Sequence, residues 1–193
     1  DPALNGQLDR KATVIFVMNH RSNMDYVLVT WLVANRASIS YAVGEWARIW
    51  PFSRFIRALG AYFIRRGSKN TLYRKVLARY VQMTTAEGIT QAIFPEGGIT
   101  RDGQLQPFKG GVVKILEMAA SEGLRPAVIP MGLSNLWGSY FSRVEVRNGE
   151  AVAMARPFRR GFFNRVGLRV GEPLAASAVT PEGLRGHVQS LID

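Results

Sequence analysis

Residues 13–25 read TVIFVMNHRSNMD. The run Thr13 to Met18 is β-branched, aromatic and aliphatic, and it stops at two polar residues, Asn19 and His20. That composition and length read as a buried strand. From Asn23 to Asn35 the apolar positions return at helical spacing, with Ser22 or Asn23 as N-cap. A buried strand feeding a helix is the opening of an α/β unit. The histidine falls at the junction.

The same alternation continues outward. A strand is predicted at Ile39 to Val43, then a helix over Glu45 to Leu59 interrupted by Pro51, then a short strand at Ala61 to Ile64 that ends in Arg65-Arg66-Gly67. Ser68 to Glu87 is the best helix, with Leu72, Val76, Tyr80 and Met83 on one stripe and Gly88 as the stop. A strand at Ile89 to Phe94 leads into a Gly-rich loop, Pro95 to Gly111, and a helix at Val112 to Glu122. Strands follow at Ala127 to Met131 and Val166 to Val170, with a hairpin around Asn148-Gly149 between them. Thr180-Pro181-Glu182 opens a last helix. Strands alternating with helices predict an α/β layered fold, a mostly parallel or mixed sheet flanked by helices, with its site at the strand C-terminal ends.

Composition narrows the partners. The chain has 193 residues, 47% hydrophobic and 20% charged, which is globular and predicts one domain over 1–193. Because a strand-like run begins by Thr13, the expectation is that a native N-terminal part is missing. There is no cysteine, so disulfide scaffolds, zinc–thiolate sites, iron–sulfur clusters and thiol nucleophiles are excluded. Two histidines far apart, His20 and His187, argue against a multi-histidine metal site. Magnesium, nucleotide and redox cofactors have no supporting motif, and no cofactor or metal is expected. The apolar stretch from Tyr26 to Ala34 is far shorter than the ~20 residues a bilayer span needs. The net charge is +11, and only five of the 25 cations are lysine. An anionic membrane surface, nucleic acid, a phosphorylated substrate with a charged carrier, or a merely solvated basic surface would each account for it.

Four segments carry chemistry. In Asn19-His20-Arg21-Ser22-Asn23-Met24-Asp25 a carboxylate stands five residues after a histidine, one turn into the helix. Folded back, it would fix the imidazole tautomer and raise the basicity of the other nitrogen, which could take a proton from an alcohol. The alternative is a helix-capping histidine beside a solvated aspartate. In the Gly60 to Gly67 segment Arg65 and Arg66 follow a strand, a pair that alone reads as a loop end. In Phe94-Pro95-Glu96-Gly97-Gly98-Ile99-Thr100-Arg101 the glycines allow backbone N–H groups near an anion, Thr100 adds a hydroxyl and Arg101 could clamp a phosphate. Lys109 stands at the next helix's N-terminus, a favourable place for anions. Val128-Ile129-Pro130-Met131-Gly132 is a strand end with no meaning of its own.

In this order, the four segments resemble the glycerol-phosphate acyltransferase superfamily, whose marks are a His-x4-Asp block, a Gly-x-x-Phe-Ile-x-Arg block, a Phe-Pro-Glu-Gly block and a Pro-containing strand. The resemblance runs from Val14 to Gly132, with a compatible tail through Val170-Gly171-Glu172-Pro173. It implies that His20, assisted by Asp25, deprotonates an acceptor hydroxyl that attacks an acyl thioester directly. It also implies that Arg65, Glu96, Gly97 and Arg101 bind a glycerol-phosphate acceptor and that Pro130 shapes the acyl-donor side. Arg21, Ser22 and Tyr26, together with Phe63-Ile64-Arg65-Arg66, look closer to the glycerol-3-phosphate branch than to the lysophosphatidate branch, and Arg21 is expected on the acceptor side. Gly98-Ile99 depart from the arginine many relatives carry after Glu-Gly, moving phosphate binding towards Arg101 or Lys109.

The expected co-substrates are therefore acyl-CoA or acyl-carrier protein, and the expected location is the cytoplasmic face of a membrane, peripherally bound. Trp46, Trp50 and Phe52 interleaved with Arg48, Arg54 and Arg57, and the Arg156 to Phe163 segment, suit an anionic headgroup interface. Nucleic acid is not expected. The competing readings are transfer to 1-acylglycerol 3-phosphate and a non-catalytic basic module that binds anionic lipid. A serine hydrolase is disfavoured because no Gly-x-Ser-x-Gly elbow exists.

Overall fold

The central strand, β1 (Val14–Met18), alternates strictly between two cores. Met18 joins Val29, Ile129, Met131 and Leu133 in one apolar cluster, with Val14 and Phe16 packed against it. Ile15 and Val17 point the other way, into a cluster with Val112, Leu116, Val128, Leu184 and Val188. A period-2 strand with apolar residues at every position must be covered on both faces. That requirement fixes β1 at the centre of a layered sheet. The computed structural model describes residues 12–22, 24–25, 28–29, 39–43, 61–63, 70–100, 103–136, 144–147, 150–153 and 165–193.

Among the described residues the other elements are β2 (Ile39–Val43), β3 (Ala61–Phe63), α1 (Thr71–Ala86), β4 (Thr90–Ile93), α2 (Gly111–Ser121), β5 (Ala127–Ser134), β6 (Val144–Arg147), β7 (Glu150–Ala153), β8 (Gly167–Val170), β9 (Leu174–Ala175), a 3-10 turn and α3 (Pro181–Ile192). The main sheet runs β3-β2-β4-β1-β5-β8, with β9 also on β5. Pairings from β3 to β5 are parallel, whereas β8 and β9 are antiparallel to β5. This is the mixed, mostly parallel α/β architecture expected. β6 and β7 pair antiparallel across 148–149, where the hairpin is predicted. Parallel neighbours β4 and β1 release their loops side by side at one sheet edge, where ligands bind in open α/β sheets.

Pro130 sits inside β5, in register with Val17 of β1. A central strand rarely accepts proline, because it lacks an N–H for the ladder. The reason it fits lies on β5's other side. β9 pairs with Ala127 and Val128 and β8 with Met131 to Ser134, so Pro130 falls in the gap between them. The Gly171 N–H crosses that gap to donate to the Pro130 carbonyl at 2.8 Å.

α1 is capped by Asn70, whose side chain accepts the Tyr73 N–H, and it begins three residues later than predicted by periodicity. Its stripe of Leu72, Val76, Tyr80 and Met83 is exposed, Leu72 by 71%. Towards its C-terminal end Val81, Thr84 and Thr85 are buried, and Arg79 and Gln82 reach Glu122 just after α2. The predicted 45–59 helix and both aromatic–arginine segments lie outside the described residues, as do Ile64, Arg65, Arg66 and Arg101.

Candidate active site

Asn19 ends β1. Its carboxamide Nδ2 donates to the Leu133 carbonyl at 2.8 Å, and its Oδ1 accepts the Leu133 N–H at 2.7 Å. A side chain thus takes the place of the next rung between β1 and β5, and the backbone is released from the sheet. His20 is the first residue out.

Three features hold the imidazole. Nδ1 lies 2.8 Å from Asp25 Oδ2, and the ring lies against Phe94 with centroids 4.6 Å apart. His20 and Asp25 are 1% and 0% exposed. The same Oδ2 accepts the Arg21 N–H at 2.6 Å and the Ser22 N–H at 2.9 Å. Ser22 Oγ in turn accepts the Met24 N–H. Ser22-x-x-Asp25 is therefore a reciprocal cap that starts the helix and aims the carboxylate at the histidine in one arrangement. Because Oδ2 already accepts two main-chain N–H groups, the geometry suits an Nδ1–H that donates to it, with Nε2 as the ring's acceptor nitrogen. Asp25 Oδ1 is buried and has no hydrogen-bond partner among the described residues.

The loop after β4 closes over this turn. The Gly97 N–H donates to the Phe94 carbonyl at 3.0 Å, and Gly97 has φ +74°, which only glycine adopts without strain. A Cβ there would meet Lys109 Nζ at 2.5 Å, so the ammonium lies against the glycine backbone. The Lys109 N–H donates to the Pro95 carbonyl at 3.0 Å, fixing the lysine beside the loop's start. Lys109 is exposed, and the N-cap Gly110 of α2 provides no side-chain cap bond.

The loop also engages the histidine's main chain. Glu96 Oε1 accepts the His20 N–H at 2.6 Å, Oε2 accepts the Gln106 N–H at 2.8 Å, and the Thr100 N–H donates to the His20 carbonyl at 3.1 Å. Thr100 Oγ1 donates to the Gln104 carbonyl, and Arg21 donates to the Gly103 carbonyl at 2.6 Å. Burial of Glu96 raises its carboxyl above the ordinary value. The two amides, Arg21 and His20 pull the other way without cancelling it.

His20, Arg21, Asp25, Glu96, Gly97, Thr100 and Lys109, all predicted from sequence, thus meet at the joined ends of β1 and β4. Glu96 and Thr100 are expected as acceptor ligands. In the structure both are buried, with the carboxylate and the threonine N–H and hydroxyl bonded within the loop and to His20. Pro130 stands one strand away, one position before the last β1–β5 pair, Met18 with Met131. Arg65 and Arg101 lie outside the described residues. Sequence reasoning missed Asn19 as a ladder substitute and the Gln106 amide. Ser22 is one of the two N-caps expected from the sequence and accepts the Met24 N–H, but the return bond from the Ser22 N–H to Asp25 was not expected. Among the described residues no three His, Asp or Glu side chains are grouped to hold a metal ion.

The site is thus a histidine–carboxylate pair at the carboxyl ends of parallel strands in an α/β protein, under a Gly-containing loop with an adjacent cation. The chain belongs to the Acyltransferase family, which it matches over residues 4–134. It is 31% identical to a glycerol-3-phosphate acyltransferase of Alteromonas mediterranea over 93% of this chain and 23% of the relative. A glycerol-3-phosphate acyltransferase of Haemophilus ducreyi is 36% identical over 61% of this chain and 15% of its own length. A putative acyltransferase plsB1 of Mycobacterium tuberculosis is 31% identical over 96% and 31%. The chain thus spans less than a third of the length of these relatives.

Proposed function

We propose that this chain transfers a fatty acyl group from an acyl thioester, acyl-CoA or acyl-carrier protein, to the hydroxyl of glycerol 3-phosphate. The observation that carries the reading is the buried His20–Asp25 pair, with its carboxylate fixed by two main-chain amides. The relatives' names supply the acceptor.

As the acceptor oxygen attacks the thioester carbonyl, its proton passes to His20 Nε2 and the imidazolium shares its charge with Asp25. The carbon–oxygen ester bond forms, the carbon–sulfur bond breaks, and the imidazolium returns the proton to the departing thiolate. No acyl-enzyme is needed, and neither metal nor redox group enters this sequence. Lys109 against Gly97, beside the N-terminus of α2, is the described cation placed to bind the phosphate. Arg21, Arg65 and Arg101 join it in the proposal through the family resemblance, and Pro130 on the acyl-donor side likewise.

Peripheral binding to the cytoplasmic face of an anionic membrane belongs to the same proposal. Its support is α1, which exposes four large apolar side chains alongside Lys75 and Arg79 and has no acidic residue from Thr71 to Ala86. No helix among the described residues is long and apolar enough to cross a membrane.

The test is thiol release from an acyl thioester with glycerol 3-phosphate or 1-acylglycerol 3-phosphate as acceptor. Release that depends on glycerol 3-phosphate is expected. Release with the monoacyl acceptor alone would overturn the acceptor assignment, and release with neither would overturn the reaction.

A further inference from the structure

Resting on the reading of His20 as the base, we infer that Glu96 is a positioning residue that fixes the imidazole through the histidine's own main chain. Its carboxylate is 6% exposed and both oxygens face donors, the His20 N–H at 2.6 Å and the Gln106 N–H at 2.8 Å. The His20 carbonyl is held from the other side by the Thr100 N–H at 3.1 Å. One residue therefore has its N–H, its carbonyl and its ring each gripped by a different partner. Those constraints set φ, ψ and the side-chain torsions together.

The chemistry of the contact calls for a carboxylate. Two donors converge on it, and an ionised carboxylate accepts at both oxygens and donates at neither. A glutamine would turn an NH2 group towards one of the two amides. An aspartate keeps both acceptors but falls short by one methylene, ~1.5 Å. Among the described residues Arg21 and His20 act on the Glu96 carboxyl through their charge, and Arg21 is engaged with the Gly103 carbonyl of the same loop.

The consequence concerns catalysis. The loop carrying Gly97, with Lys109 against it, and the residue carrying the base form one hydrogen-bonded unit, so the acceptor's anion and its proton acceptor are placed together. A misplacement of ~1 Å at a reacting centre can cost on the order of 100-fold in rate.

Two experiments test this. In steady-state kinetics, Glu96→Gln is expected to lower kcat by roughly 10- to 100-fold while the acceptor KM stays within about threefold, with the kcat–pH limb displaced and partial recovery in Glu96→Asp. A KM for acceptor raised tenfold or more at unchanged kcat would overturn the proposal in favour of direct acceptor contact. A kcat that falls only with the folded fraction, on an unchanged pH profile, would overturn it in favour of a purely structural role. The second experiment needs no variant to fold. Amide resonances of His20 and Gln106 in the unaltered chain are followed against pH. The expected result is one shared titration with its midpoint above the ordinary glutamate value. An unresponsive His20 amide would contradict the contact. If the unaltered chain releases no thiol, the reaction reading fails, yet the titration still decides the contact.

Discussion

At the carboxyl ends of β1 and β4, Asn19, His20, Arg21, Asp25, Glu96 and Thr100 are all buried; along α1, Leu72, Val76, Tyr80 and Met83 are all exposed. The two regions invert the usual partition of polar and apolar side chains. The buried polar cluster is tolerable because almost every atom in it has a partner, with Asp25 Oδ1 the exception among the described residues. The stripe instead leaves Leu72 71% and Val76 59% exposed. The proposed reaction would account for the first inversion and the proposed membrane contact for the second.

Asp25→Asn tests the polar region most severely. The replacement keeps the shape but removes the charge facing Nδ1, and kcat is expected to fall by about 10²- to 10⁴-fold with the chain still folded. Steady-state thiol release measures it, and a loss under threefold would mean the carboxylate is only a helix cap. Lys109→Ala comes next. Losing one charge-assisted phosphate contact should raise the acceptor KM by roughly 10- to 100-fold, with a smaller change in kcat. An unchanged KM would move the phosphate away from Gly97.

The apolar region responds to smaller changes. Lys75→Glu with Arg79→Glu should weaken sedimentation with anionic vesicles by at least tenfold, each cation being worth about 1 kcal/mol near such a surface. Both positions are exposed and the Arg79–Glu122 ion pair at 3.6 Å lies at the surface, so thermal stability should move by no more than about 1 kcal/mol. Equal binding of the unaltered chain to neutral and anionic vesicles would show that the stripe faces something else.

The smallest effect is a pH dependence. The folded protein holds the Glu96 proton more tightly than the unfolded chain does, so unfolding releases it between the ordinary value of 4.5 and the raised one. Glu96's contribution is fully present below 4.5 and is lost as pH rises through the raised value. Relative to Glu96→Gln, the stability of the unaltered chain should decline across that window in denaturant melts. A constant difference would contradict the burial of the carboxyl.

How much of this was legible depended on whether the signal was local. The run from Thr13 to Met18 revealed a strand because its composition leaves no polar face, and the His-x4-Asp spacing revealed the pair because one helical turn connects them. The parallel pairing of β1 with β5 was not legible. It joins residues more than 110 positions apart, and Asn19 bonding to Leu133 is its most distant consequence at the site. For Glu96 the residue type was readable but its partner was not. The family resemblance implies an acceptor ligand there, and only the fold brings the His20 amide to it. The α1 stripe was read correctly as periodicity, which says that a helix has an apolar face but not what that face meets.

The most direct measurement is thiol release by His20→Ala under saturating acyl thioester and glycerol 3-phosphate, alongside a melting curve. The account predicts a fall in kcat of about 10²- to 10⁴-fold in a chain that still unfolds cooperatively. A folded variant that keeps more than a tenth of the turnover would contradict it.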